Sequence, residues 1–197
     1  MPWAAPLGVT VQPMDIRVEQ RRDHAAVRRL HLAAFGGDHG LVVADLVDSL
    51  RSAITGDSGL SLVAVEPDGD VIGHVMFTRS LLDAPPRLVE VQVLSPVAVL
   101  PPRQSQGIGS ALIRAGLQVM TERAVPVVFL EGDPGYYSRF SFATAAAQGF
   151  RSPSLRIPDA GFQAILLPHH QPWMTGTLVY SETFWRHDVV GLRDPGG

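Results

Sequence analysis

The chain has 197 residues, a net charge of −3 at neutral pH, 46% hydrophobic and 18% charged residues, and no cysteine. This is the composition and length of one globular domain with its own core, and the lack of cysteine excludes disulfides, thiolate metal sites and cysteine nucleophiles. Every basic residue is an arginine interspersed with acids, which excludes a lysine-dependent Walker phosphate loop and makes a nucleic-acid partner unexpected.

Residues 1–14 are predicted to form a loose leader, and residues 15–197 a single domain. The leader contains Trp3 and several prolines, but it lacks the positive flank and the apolar stretch of a signal peptide. No apolar run in the sequence is long enough to cross a membrane. No membrane partner is therefore expected, and a cytoplasmic location is predicted by default.

The first half of the domain contains two amphipathic segments and several short β-rich runs. Apolar residues recur at helical spacing on either side of Gly36–Gly37, and the sequence Pro67–Asp68–Gly69–Asp70 is typical of a turn. The predicted elements are a strand over 16–18, a helix capped by Asp23 that ends near Phe35, a helix over 41–54, and a hairpin of 60–65 with 71–77.

The second half predicts a strand, a crossover helix and another strand, over 88–99, 107–123 and 125–130. Pro96 interrupts the first of these strands and predicts a bulge, because proline cannot donate a hydrogen bond to a sheet. A strand–helix–strand unit implies a parallel pair within an otherwise antiparallel sheet. The predicted fold class is therefore mixed α/β, with helices flanking the sheet and closing strands over 162–167 and 177–180.

The segment most informative about function is the polar turn Arg103–Gln104–Ser105–Gln106–Gly107–Ile108–Gly109–Ser110, which leads from the long strand into the helix. Backbone N–H groups at a helix N-terminus are unpaired, and the macrodipole adds about half a positive charge there. Such a turn binds anions, and glycine allows a phosphate to approach the main chain closely. Arg103 and Ser110 can add side-chain donors. For the glycine pair alone, an ordinary tight turn is the alternative.

The stretch Gln104–Gly109 resembles the Gln/Arg-x-x-Gly-x-Gly/Ala segment of the GNAT superfamily of acyl-CoA N-acyltransferases, and it matches every fixed position. The resemblance implies a mostly antiparallel sheet in which the fourth and fifth strands are parallel and splay apart. It implies that amides from Gln104 to Ser110 hold the pyrophosphate of acetyl-CoA. Main-chain groups of Val97 and Val99 would then pair with the pantetheine arm, and Pro96 fits a bulged fourth strand.

A second motif, the stretch 133–142, resembles the Asp-Pro-x-Tyr-Tyr-x-Arg-Phe-x-Phe pattern of a branch of bacterial GNAT enzymes. Tyr137 lies five residues before Phe142, where many members of the superfamily carry a tyrosine, although Ser141 replaces the usual glycine. A tyrosine with a pKa of about 10 is protonated at neutral pH and can supply a proton to the departing thiolate. Tyr137 is therefore the predicted general acid. Core packing is the alternative for Tyr137 and the favoured interpretation for Tyr136.

For the general base, the sequence offers Glu90. Family members with a catalytic glutamate often carry it on the fourth strand, at the position that Val93 occupies here. Glu90 lies earlier on the same strand, and a solvated acid at the edge of the sheet is the alternative. A water chain, or an acceptor that is already neutral, would remove the need for a base.

No metal site is predicted. His169–His170 would point to opposite faces of a strand, and the sequence lacks the His-Glu-x-x-His spacing. His74 is interpreted as a core or edge histidine, with a position in the acceptor cleft as the alternative. Asp38, Asp45 and Asp48 are interpreted as a solvated helix face, with attraction of a cationic amine as the alternative.

Together these patterns predict an N-acetyltransferase that moves an acetyl group from acetyl-CoA to a primary amine by direct attack in a ternary complex. The alternative is a CoA-binding regulatory or scaffold protein without turnover. The expected partners are acetyl-CoA and a small-molecule or protein amine, and a homodimer is left open.

Overall fold

The protein is built around one sheet with helices on both faces, and the computed structural model describes residues 14–193. The predicted leader lies outside the described residues except for Met14, so its boundary stays a prediction. The helices and strands are β1 (Asp15–Val18), α1 (His24–Phe35), α2 (Gly37–Ala53), β2 (Gly59–Val65), β3 (Val71–Asp83), β4 (Leu88–Val99), α3 (Ile108–Glu122), β5 (Val127–Glu131), α4 (Pro134–Tyr137), β6 (Ala143–Thr144), β7 (Phe150–Arg151), β8 (Phe162–Leu166), β9 (Gly176–Val179) and α5 (Glu182–Arg186).

The sheet has the predicted mixed topology. Its strands follow the order β1-β2-β3-β4-β5-β8-β6, while β9 pairs with the end of β3 and with β7. The β4–β5 pair is parallel, as predicted, and so is the short β7–β9 pair. The register joins β4 to β5 at Gln92 with Val128 and at Val93 with Phe129. Beyond Val93 the two strands separate, which confirms the predicted splay.

The separation begins at a bulge in β4. Phe77 of β3 lies opposite Leu94, and Val75 lies opposite Val97. Met76 alone therefore spans the two residues Ser95–Pro96, which is the two-against-one arrangement of a bulge. The bulge predicted from Pro96 is confirmed, and it leaves the last part of β4 facing a gap rather than β5.

Helices cover both faces of the sheet with the apolar stripes that the spacing predicts. Buried residues of α1 and α2 pack on one face, and buried residues of α3 pack on the other. Removing this apolar surface from water is the main stabilising contribution, at about 25 cal/mol per Å². The residues of these stripes are Val27, Leu30, Leu46, Val47 and Leu50 on α1 and α2, and Ile108, Leu112, Ile113 and Met120 on α3.

Two details of α1 and α2 differ from the expectation. The second helix begins at Gly37 rather than residue 41, because Gly36 has a φ of 66° and turns the chain without a loop. Asp23 does lie at the N-cap of α1, but its carboxylate does not cap that helix. Instead it accepts hydrogen bonds from the Gln20 amide at 2.7 Å and from Arg17. The aspartate thus ties α1 to β1.

A chain of buried polar groups joins α1 to the sheet. His74 on β3 is fully buried, with Nδ1 2.8 Å from His31 Nε2 and Nε2 2.9 Å from Ser61 Oγ. The Ser61 hydroxyl donates to the Glu19 carboxylate at 2.5 Å. His74 Nε2–H therefore donates to Ser61, and His74 Nδ1 accepts from His31, which leaves both rings neutral. Burial lowers the pKa of His31 to about 3 and also lowers that of His74. His74 is a core histidine, as the favoured interpretation has it.

None of the helices within residues 14–193 is both long and apolar enough to cross a membrane.

Candidate active site

A cavity of about 770 Å³, the first cavity, opens where β4 and β5 separate. Its walls come from the end of α1, the end of β4, the turn into α3, and the segment after β5. Nine of the ten predicted cofactor-binding residues line it, and Gln106 does not. The lining residues are Ala34, Phe35, Val97, Ala98, Val99, Arg103, Gln104, Ser105, Gly107, Ile108, Gly109, Ser110, Tyr136 and Arg139.

The turn into α3 presents backbone amides to the first cavity. Gly107 is the N-cap, with a left-handed φ of 84° that favours glycine, and no side chain caps the helix. The Ala111 amide donates to the Gly107 carbonyl at 2.9 Å. The preceding amides, those of Ile108, Gly109 and Ser110, have no intrahelical acceptor. With the helix dipole, they form a site for an anion.

Two glutamine side chains brace this turn. The Gln104 side chain donates to the Val99 carbonyl at 3.1 Å. The Gln106 side chain donates to the Pro102 carbonyl at 3.1 Å. Gln106 therefore holds the loop from outside the cavity, and the carbonyl of Val99 already has a partner within the protein.

Two arginines line the first cavity. Arg103 pairs with Glu66 at 2.6 Å. The guanidinium of Arg139 lies 4.6 Å from the centre of the Tyr136 ring, in cation–π contact. Sequence reasoning gave Arg139 no role. Its position three residues after Tyr136, on one helical turn, is the signal that points to it.

A second cavity, of about 290 Å³, adjoins the first on the side of α2 and α5. Phe35 and Val97 line both cavities, so the two meet beside the β4 bulge. Its lining residues are Phe35, His39, Val43, Leu46, Val93, Leu94, Ser95, Pro96, Val97, Glu131, Tyr137, Tyr180, Phe184 and Val189.

The two tyrosines of the second motif face different cavities. Tyr136 lines the first cavity and Tyr137 the second, with ring centres 5.0 Å apart. Burial, with a smaller effect of Tyr136, raises the pKa of Tyr137 to about 12. Gly132 allows the Tyr137 ring to lie there, because a Cβ at this glycine would be 2.4 Å from Tyr137 Cε2. Tyr137 is thus a protonated donor at the edge of the second cavity.

Glu131, the last residue of β5, also lines the second cavity. Its Oε1 accepts a hydrogen bond from the Tyr180 hydroxyl at 2.8 Å, and its Oε2 accepts one from the Gly191 amide at 3.0 Å. Burial raises the pKa of Glu131, and these two hydrogen bonds act in the opposite direction. Sequence reasoning missed this residue. An acid at the end of a buried strand, directly before the second motif, is the signal that points to it.

The structure does not bring Glu90 to the site. This residue lies opposite Leu81 in the β3–β4 ladder, pairs with Arg79, and has a side chain that is 66% exposed. It lines neither cavity, whereas Val93, farther along β4, lines the second. The geometry therefore fits the alternative of a strand-edge acid and does not support Glu90 as a base.

The other polar candidates also lie outside the two cavities. Asp45 and Asp48 form ion pairs with Arg28 on the surface of α1 and α2, which fits a solvated helix face. His170 lies within hydrogen-bond distance of the Met174 carbonyl. In the part of the chain that the structure describes, no three His, Asp or Glu side chains are arranged to hold a metal ion.

Comparisons with known proteins agree with this geometry. Residues 15–145 match the model of the acetyltransferase (GNAT) domain. The chain is 31% identical over 171 residues to YjhQ, an uncharacterized N-acetyltransferase of Escherichia coli K12. This alignment covers 86% of this chain and 87% of YjhQ.

Two solved structures are similar over most of the chain. The crystal structure of the Escherichia coli N-acetyltransferase YhbS in complex with CoA has a TM-score of 0.75 and 29% identity, and covers 94% of this chain and 97% of that one. A GNAT family acetyltransferase from Brucella melitensis in complex with acetyl-CoA has a TM-score of 0.68 and 34% identity, with 88% and 99% covered. With its domain match over residues 15–145, its 31% identity to YjhQ and its splayed parallel strands, the chain belongs to the GNAT family of acetyltransferases.

Proposed function

We propose that the protein transfers the acetyl group of acetyl-CoA to a primary amine by direct attack within a ternary complex. The observation that carries this proposal is the pair of cavities that meet at Val97. One contains a site for an anion, and the other contains a protonated tyrosine and a carboxylate. The CoA and acetyl-CoA bound to the two similar solved proteins support the choice of cofactor.

In this proposal, the first cavity binds the cofactor along β4. The amides of Ile108, Gly109 and Ser110 hold the pyrophosphate, with Arg103 and Arg139 adding charge. The pantetheine arm pairs with main-chain groups near Val97, on the edge of β4 that β5 leaves open after the bulge. The thioester then lies where the two cavities meet, and the amine approaches it from the second cavity.

Tyr137 acts as the general acid in the transfer. The amine nitrogen attacks the thioester carbonyl carbon and forms the C–N bond, and the C–S bond breaks as the tetrahedral intermediate collapses. Tyr137 gives its proton to the leaving sulfur and regains one from the nitrogen. Because burial raises the pKa of Tyr137 to about 12, this proton is present throughout the neutral range.

Two measurements test the proposal together. CoA at one hundred times its Kd should stabilise the folded protein by about 2.7 kcal/mol and raise its melting temperature. Release of CoA thiol from acetyl-CoA should depend on a primary amine, across a panel of amines. Absence of a thermal shift would refute the cofactor assignment. A shift without turnover on any amine would instead support the CoA-binding regulatory or scaffold protein.

A further inference from the structure

The second cavity contains one carboxylate in a lining that is otherwise uncharged or aromatic. Among the described residues that line it, Glu131 is the only acid, and none is an arginine. A carboxylate that faces a small apolar cavity is suited to receive a single cation. Resting on the proposed function, we propose that Glu131 receives the amino group of the acceptor and takes its proton, and that this acceptor is a monoamine on a small apolar body.

The carboxylate of Glu131 is held in position by one hydrogen bond to each of its oxygens. The donors are the Tyr180 hydroxyl, at 2.8 Å, and the Gly191 amide, at 3.0 Å. Each carboxylate oxygen can accept two hydrogen bonds, so both keep capacity for an ammonium group. Tyr180 is itself 5% exposed, which fixes the donor. The result is an oriented acceptor of protons rather than a mobile surface acid.

The backbone at Gly191 is shaped for this contact. Its φ of 63° lies in the region that favours glycine. A Cβ at this position would lie 2.5 Å from the carbonyl carbon of Arg156. Only glycine therefore allows the amide to approach Glu131 while the chain packs against Arg156.

The surroundings of Glu131 act on its pKa in opposite directions. Tyr180 bonds to it, Arg156 acts on it through its charge, and Tyr137 and His39 line the same cavity. Burial is the largest effect and raises the pKa of Glu131, while the hydrogen bonds and Arg156 lower it. A general base works best when its pKa lies near the working pH, and burial moves the pKa of Glu131 upward from its ordinary value.

The size and lining of the second cavity limit the acceptor. Its volume of about 290 Å³ lies just below the range of about 300–1,000 Å³ for small-molecule sites. A second cationic group on the acceptor would be buried without a partner, which is costly. A phenyl or short alkyl body fits better than a diamine, a polyamine or an amino sugar. The apolar lining comes from Phe35, Val43, Leu46, Val93, Phe184 and Val189.

The step balances as follows. The Glu131 carboxylate takes one proton from the ammonium group, which frees the nitrogen lone pair to attack the thioester carbon. That proton passes from Glu131 to solvent. The second proton lost by the nitrogen returns to Tyr137, which has protonated the leaving sulfur. The sum is ammonium plus acetyl-CoA giving N-acetyl amine, CoA thiol and one released proton.

The test compares wild type with Glu131→Gln, using phenethylamine as the acceptor between pH 6 and pH 10. At pH 7, kcat/KM for the amine should fall by about 10²–10³-fold in the variant. The deficit should shrink below about tenfold at pH 10, because the neutral fraction of an amine with a pKa of about 10.4 rises from roughly 0.04% at pH 7 to roughly 30% at pH 10, and the neutral form needs no base. Glu122→Gln is the matched control, since Glu122 is exposed on α3 and bonded to Gln118.

Tyr180→Phe tests the positioning of the carboxylate. It removes a hydrogen bond to the charged form of Glu131, so the acid limb of kcat/KM should move to higher pH. The thermal shift induced by CoA should persist in both variants. If Glu131→Gln does not fold, the shift of the acid limb of kcat/KM in Tyr180→Phe becomes the test. Separately, hexylamine should be used at least about tenfold better than 1,6-diaminohexane, since one more charge must be buried for the diamine.

Several results would overturn the inference. They are a wild-type rate for Glu131→Gln at pH 7, an acid limb unmoved by Tyr180→Phe, and equal use of hexylamine and 1,6-diaminohexane. A deficit at pH 7 in His39→Asn or Glu90→Gln, with Glu131→Gln unaffected, would assign the base elsewhere. Failure of the proposed function is distinguishable without any variant, because wild type would then bind CoA and acetylate no amine.

Discussion

Replacing Tyr137 with phenylalanine should separate catalysis from binding. The ring packs against Phe140 and Phe142, with centres 6.4 Å and 5.9 Å away, and phenylalanine keeps these contacts. Loss of the hydroxyl should therefore change the free energy of unfolding by less than about 1 kcal/mol. General acid catalysis contributes about 10²–10⁴-fold. We expect the low end for kcat, about 100-fold, because a thiolate is a tolerable leaving group.

The assay is thiol release at saturating acetyl-CoA and amine, with Tyr136→Phe as the partner variant. Tyr136 lines the first cavity, and its hydroxyl would be 3.0 Å from a Cβ at Gly109. Tyr136→Phe should therefore change the KM for acetyl-CoA more than kcat, while Tyr137→Phe changes kcat. A wild-type kcat for Tyr137→Phe together with a crippled Tyr136→Phe would mean that the acid is Tyr136. If neither changes kcat, the proton comes from solvent.

Three further predictions follow from close contacts and from buried histidines. Gly109→Val would place a branched Cβ against the anion site and 3.0 Å from the Tyr136 hydroxyl. The KM for acetyl-CoA should therefore rise at least tenfold, equivalent to about 1.4 kcal/mol, and an unchanged KM in a folded variant would contradict the site. Gly132→Ala would place a Cβ 2.4 Å from the Tyr137 ring and displace the ring. The value of kcat should then fall about tenfold or more while the CoA-induced thermal shift persists, and a wild-type kcat would count against the role of Tyr137. Because burial lowers the pKa of His31 to about 3 in the folded state, the stability of the neutral ring is fully present above about pH 6.5 and is lost as the pH falls toward 3. Urea unfolding should show stability declining below about pH 6.5, and a smaller decline in His31→Leu; identical pH profiles would refute this.

Much of the fold could be predicted from the sequence because its central elements are long and periodic. The bounds predicted for β4, 88–99, agree with the structure, and Pro96 located the bulge because proline lacks an N–H. The extension of β3 to Asp83 was missed, since it depends on pairing with β4 and β9. The two-residue strands β6 and β7, and the short helices α4 and α5, are too brief for any periodicity.

The lining of the first cavity could be predicted from the sequence, whereas that of the second could not. The anion site is built from consecutive residues, so a local motif contains nearly all of it. The second cavity draws residues from α1, α2, β4, β5, α4, α5 and the segments on either side of α5, and only the tertiary fold brings these together. In the sequence, Glu90 lies on a predicted strand and Glu131 follows directly after another. Which of them faces the cavity depends on where β4 and β5 separate.

Initial-velocity kinetics with product quantification test the central claim most directly. Acetyl-CoA and phenethylamine are varied together, and CoA thiol and N-acetylphenethylamine are measured in the same samples. Direct attack in a ternary complex predicts intersecting double-reciprocal lines and equal amounts of the two products. Parallel lines, which indicate an acetylated enzyme, or thiol released without acetylated amine would contradict it.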